Sequence, residues 1–227
     1  MAYTTIDDPT IYFNTVLFTG TASGNKAVTG VGFQPDFVWT KNRVDAYGHN
    51  LYDSVRGTGK YLQSNGNSAE SSSATSMVSF DSDGFTVGTG DNVQYSSNNG
   101  VSWNWKAGTA FSNDASATGI GSIDSSGSIN TTAGFSIISW TGTGSAGTVA
   151  HGLGVQPQIV FVKNRSDTAS WNVYTVIGGG GKGLFLNEQN GFDSDSSYFN
   201  DGTASTTTFP VGTANTANGS SDNMIAY

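Results

Sequence analysis

Two strings constrain this chain more than anything else in it: residues 32–43 read GFQPDFVWTKNR and residues 154–165 read GVQPQIVFVKNR. Shifting the sequence on itself by 122 positions aligns residues 19–43 with 141–165 without a gap, and about half of the aligned pairs are identical. Gly20 meets Gly142, Gly30 meets Gly152, Pro35 meets Pro157, Val38 meets Val160 and Lys41 meets Lys163. The same offset pairs Tyr52 with Tyr174 and Lys60 with Lys182. After a small indel, FTVGT at 85–89 matches FPVGT at 209–213, and NGVSW at 99–103 matches the closing DNMIAY more loosely. A repeat of this period restricts the fold to two copies of one unit.

Within each copy an aromatic run, VLFTG or ISWTG, leads into a Gly/Ser turn and then to G-x-G-x-Q-P. The glycines permit positive φ or close backbone approach, and Pro35 and Pro157 stand at the mouth of the next strand, where a missing N–H costs least. Strand period places Phe37, Trp39 and Lys41 on one face, with Val38 and Thr40 on the other. The second copy is apolar on both faces from Ile159 to Val162, which suits a central strand. The expected organisation is an arm at 1–11, a β unit at 12–106, a Gly/Ser/Thr-rich linker at 107–133 with one short strand at GSINTT, and a second β unit at 134–227.

Composition settles the fold class. Glutamate occurs only as Glu70 and Glu188, and Gly, Ser, Thr, Asn and Asp dominate, so helix formers are scarce and turn formers frequent. Short Val/Ile/Phe/Trp/Tyr runs lie between the turns, and 12% aromatic residues weigh against disorder. These features predict an all-β protein: two similar antiparallel β-sandwich or jelly-roll-like units from an internal repeat.

A net charge of −8 with nine basic residues disfavours nucleic acid, which needs clustered Lys and Arg, and disfavours anionic membrane surfaces. No apolar stretch approaches a bilayer span, and the start lacks the basic and apolar regions of a classical signal peptide. The absence of cysteine removes disulfides and thiolate metal sites.

Candidate sites are few. Lys41, Arg43, Lys163 and Arg165 occupy equivalent strand ends; they suit an acidic ligand, but their presence in both copies favours bonds that fix the turn after each strand. Trp103 and Trp105 share one face of a strand. Paired tryptophans stack on sugars or fill a core or subunit interface, and core or interface is the favoured reading, for Trp39, Trp140 and Trp171 as well. DSDG at 81–84 and DSDS at 193–196 alternate oxygens as calcium loops do, yet position twelve from Asp81 is Asn92, so the EF-hand pattern fails and only another kind of calcium loop stays open. His49 and His151 sit in dissimilar contexts, no G-x-S-x-G or H-E-x-x-H occurs, and IGGGGKG lacks the G-K-[ST] ending of a phosphate loop. The reading is of a protein with no enzymatic activity, no metal and no cofactor.

The arm MAYTTIDDPTIYFNT, then GFQPDFVWTKNR, LYDSVRG, FDSDGFTVG and WNWKAG, and later GFSIISWTGTGSAGTVAHGLGVQPQIVFVKNR and TTTFPVGTANTANGSSDNMIAY, follow one another in a familiar order. Taken together they resemble a domain family of unassigned activity found in structural proteins of tailed bacteriophages, especially marine phages and cyanophages. The resemblance spans nearly the whole chain and implies a virion component of the tail fibre or adhesion apparatus, presenting loops to host surface glycan or to a neighbouring virion protein. The alternative it leaves is a capsid decoration or head-fibre protein docked by residues 1–11. Exposed β edges and paired tryptophans add the expectation of a homo-oligomer.

Overall fold

Aromatic and β-branched residues alternating with small polar ones build short strands throughout. The computed structural model describes residues 6, 8–21, 23–90 and 98–227. Its backbone contacts form two units: residues 1–64 with 70–108, and residues 65–69 with 109–227.

The first unit holds β1 (Phe13–Thr19), β2 (Lys26–Thr29), β3 (Phe37–Asn42), β4 (Asn50–Asp53), β5 (Lys60–Gln63), β6 (Ser71–Ser72), β7 (Met77–Asp81), β8 (Gly84–Val87) and β9 (Asn99–Trp105). One sheet runs β1-β9-β3-β4-β5-β6 and a smaller one runs β2-β8-β7, all pairs antiparallel. Phe18, Val38 and Tyr52 of the larger sheet pack with Val28, Met77, Phe85 and Val87 of the smaller one to form the core. This is a β-sandwich. The G-x-G turn is fixed by the hairpin between β7 and β8. Gly30 and Gly32 take φ of 87° and 86°, and their amides donate to the Asp83 carboxylate at 3.1 and 2.7 Å. The Gly32 bond, then the Gly30 bond, hold Asp83 below the usual carboxylate range.

The second unit holds β10 (Thr109–Asn113), β11 (Ser125–Asn130), β12 (Phe135–Thr141), β13 (Gly147–Ala150), β14 (Ile159–Asn164), β15 (Asn172–Thr175), β16 (Leu184–Phe185), β17 (Thr208–Val211) and β18 (Asn223–Ala226). Three single-turn helices join them: α1 (Ala115–Thr118), α2 (Ser196–Phe199) and α3 (Asn215–Asn218). The sheet order is β10-β11-β12-β18-β14-β15-β16, with β13-β17 as a second layer. Ile138, Trp140, Val160, Val162, Tyr174 and Met224 pack with Val149, Phe209 and Val211.

The order β1-β9-β3-β4-β5 of the first unit recurs as β12-β18-β14-β15-β16 in the second. β3 and β14, and likewise β4 and β15, fall 122 positions apart residue for residue. Residues 107–133, expected as a linker with one short strand at GSINTT, hold that strand within β11 but also supply β10 and α1, so that a hairpin extends the sheet beyond β12. Backbone pairing, with Phe111 and Ile129 packed against the core, holds this Ser/Gly/Thr-rich hairpin in place. Of the expected arm, residues 1–5 and 7 lie outside the described residues. Pro9–Ile11 form one 3-10 turn, with Asp8 Oδ1 accepting from Thr10 N at 2.9 Å.

Candidate functional site

The hairpin that replaces the expected linker builds a groove. Antiparallel register sets Ser112 opposite Ser126, and Ser126 opposite Ser139, so three serines form a row on one face of β10, β11 and β12. Two residues further along β12, on the same face, Thr141 stands opposite Asn223 of β18. The hydroxyls of Ser112, Ser126 and Thr141 are exposed and make no hydrogen bond with the described residues. Ser139 Oγ donates to the Met224 carbonyl at 3.2 Å.

Two carboxylates line the groove. Asp114 caps α1, its Oδ1 accepting from Ser116 Oγ at 2.7 Å and Ala117 N at 3.1 Å. These bonds, the serine's first, draw Asp114 below the ordinary carboxylate range. Asp124 Oδ1 accepts from Ala115 N at 2.8 Å, which ties β11's approach to α1. Trp140 also lines the groove and turns its Nε1 away to Asn218 Oδ1 at 3.0 Å. The groove measures about 340 Å3 and adjoins a recess of about 430 Å3 beside Ser122 and Thr143, with Asp124 and Thr141 common to both.

Hydroxyls and an amide that donate and accept, flanked by carboxylates that only accept, match a ligand rich in hydroxyl groups. Two acidic side chains repel an anion, and the scarcity of apolar lining gives an apolar ligand little to bury against. Among the described residues no group of three or more His, Asp or Glu is placed to hold a metal ion.

A family model described as a domain of unknown function, DUF7483, matches residues 8–227. The chain belongs to this family. No curated protein and no solved structure matches the chain.

In this DUF7483 domain the strand-end lysines bind the chain's own carbonyls. Lys41 Nζ donates to the Asn42 and Asp45 carbonyls at 2.7 and 3.1 Å. Lys163 is fully buried, and its Nζ donates to the carbonyls of Asn164, Ala169, Asn67 and Asp167 at 2.8, 2.8, 3.2 and 3.4 Å. The neighbouring asparagines finish the turns: Asn42 Oδ1 accepts from Val44 N and Asp45 N, and Asn164 Oδ1 from Ser166 N and Asp167 N. Arg43 and Arg165 continue the correspondence through their backbones, donating to the Asn99 and Asn223 carbonyls, each at 2.8 Å. This geometry is that of turn fixation.

Burial lowers the Lys163 pKa to about 8, the nearby Asp167 opposing the fall. An unfolded lysine titrates near 10.4. Between about 8 and 10.4 the unfolded chain therefore binds the extra proton, and stability rises with pH across that window. Below about 8 both states carry the charge and this gain is absent. Urea midpoints at pH 8 and pH 10 should show the wild type gaining relative to Lys163→Met; equal shifts in both proteins would refute the assignment.

The tryptophans are locked into packing. Trp103 faces Trp39 across the β3–β9 ladder, with ring centroids 6.3 Å apart in an edge contact. Trp105 sits between Phe13 and Phe37, at 4.8 and 5.2 Å. Trp171 has no exposed surface and stacks on Tyr227 at 6.2 Å, so it offers no ring face to a sugar. The acidic pairs are engaged internally as well. Asp81 accepts from Thr86 Oγ1, Asp193 from the Tyr198 hydroxyl, and Asp195 caps α2 through Ser197 N. The groove residues escaped the sequence reading because they fall in or beside the supposed linker. The signal that could have found them is a hairpin: SSGSIN and FSIISW are separated by the short turn TTAG.

Proposed function

We propose that this DUF7483 protein is a non-enzymatic structural protein of a tailed-phage particle, part of its adhesion apparatus, whose second unit takes up host surface glycan in the groove beside β11. The particle assignment rests on the ordered strings that resemble phage structural proteins. The observation that carries the binding role is the row Ser112–Ser126–Ser139, in which the Ser112 and Ser126 hydroxyls make no hydrogen bond with the described residues, set beside Asp114 and Asp124. A saccharide hydroxyl both donates and accepts, so it satisfies serine hydroxyls and carboxylates together where a simple anion or alkane cannot. A sandwich whose turns are tied by buried Lys–carbonyl bonds supports such a site rigidly, which limits the entropy lost on binding.

The test pairs location with binding. Gold-labelled antibody on intact virions is expected at the tail; label confined to the head would move the protein to the capsid. Recombinant protein is expected to retain host surface polysaccharide, and Ser126→Tyr, which fills the groove with an outward-facing ring, should weaken retention at least about tenfold. Retention unchanged in Ser126→Tyr would place the ligand elsewhere, and no retention on host cells or on a glycan array would end the adhesion reading.

A further inference from the structure

The two units differ at one sheet edge. In the second unit β12 lies between β18 and β11. In the first unit β1, which holds the same place in the strand order, has β9 on one side and stands at the end of its sheet. The phase of the ladder shows what that edge presents. Lys106 N donates to the Tyr12 carbonyl at 2.8 Å and Gly20 N to the Asn98 carbonyl at 3.0 Å, so the even-numbered residues turn their backbone groups toward β9. The N–H and C=O groups of Phe13, Thr15, Leu17 and Thr19 therefore point off the sheet. Among the described residues only the Thr15 amide has a partner, Asn14 Oδ1 at 2.9 Å.

Nothing in β1 blunts this edge. The strand FNTVLFT is seven residues long, with no charge and no proline, and pairs with β9 without a bulge. Leu17 is 62% exposed and Phe13 36%. A long, uncharged, partly apolar edge is a template for another strand. We propose that its occupant is a second copy of this chain, paired antiparallel through its own β1 about a two-fold axis. The second unit supplies the precedent, since an antiparallel strand covers the equivalent side of β12. The chemistry supplies the partner: an uncharged strand meets its own copy with no like-charge pair across the ladder, and it matches its copy in length, where the end strand β10 is shorter. The contact is isologous and closes at two copies.

Light scattering on the full chain at tens of micromolar is expected to give a dimer. Leu17→Lys sets like charges on the shared exposed face of the two paired strands while facing solvent in the single chain, so it should weaken association at least about tenfold with an unchanged far-ultraviolet spectrum. A monomeric wild type, a dimer that persists in Leu17→Lys, or open-ended assemblies would each overturn the proposal.

Discussion

Gly127→Ala is expected to pull β11 off β12, destabilise the second unit by about 3 kcal/mol and abolish glycan retention together with it. A Cβ on Gly127 would stand 1.8 Å from the Ile137 carbonyl oxygen and 2.9 Å from its carbon. Both atoms are backbone, so no side chain can yield, and the two strands must separate. Gly127 pairs with Ile138 on one side and Phe111 on the other, so the displacement reaches both ladders of the hairpin. Ser126 moves with it and the Ser112–Ser126–Ser139 row breaks. The control is Gly191→Ala, where nothing lies within 4 Å and φ is not positive; its urea midpoint should match the wild type. With two units the unfolding need not be two-state, so the shift is sought in the transition that the Gly127 variant alone alters. A Gly127→Ala protein with wild-type midpoint and retention would mean that the strands do not approach this closely.

The same glycine explains why one part of the fold was legible in the sequence and another was not. Strands such as IVFVKN and FVWTKN announce themselves because most of their side chains are buried or half-buried, and burial leaves an apolar record, although Ile159, expected under a second covering layer, is exposed. In the β10–β11 hairpin only Phe111 and Ile129 pack against the core, so the sequence showed one short strand at GSINTT but neither its partner β10 nor its register, which backbone bonds and the bare Cα of Gly127 set. The groove was hidden for the same reason, since its row forms only when three strands are brought into register. The strand-end lysines were legible in role, as turn fixers, but not in degree. Lys41 is half-buried and Lys163 wholly buried although the two sit in identical K-N-R strings. The first-unit turn rests on Asp83, which DSDG displays as a possible calcium ligand; only the structure shows the carboxylate spent on Gly30 and Gly32.

Arg56→Met is expected to destabilise the first unit by about 3–5 kcal/mol, because it strands a carboxylate in the interior. Asp53 is fully buried and Arg56 nearly so, and Arg56 Nε is bonded to Asp53 Oδ2. Arg56 Nη2 donates to the Leu51 carbonyl at 2.8 Å, and Nη1 reaches Glu70 Oε2 at 3.3 Å. One planar fork thus ties β4, the turn after it and the chain entering β6. Lysine cannot reproduce that fork, so Arg56→Lys should recover little. Glu70→Gln should cost less, about 1 kcal/mol, since the Glu70 side chain is 13% exposed and its bond is long. The Asp53→Asn/Arg56→Met double variant, which keeps an acceptor for the Arg56 amide, now met by Asp53 Oδ1 at 2.7 Å, removes both charges together. Its loss should fall at least about 2 kcal/mol short of the sum of the single losses. Salt supplies the deciding control. An exposed pair weakens as ionic strength rises, whereas this one is out of reach of counter-ions, so the gap between wild type and Arg56→Met should be the same in dilute buffer and in molar sodium chloride. A gap that closes with salt would mean that water reaches the pair and that the first unit is held by its apolar core alone.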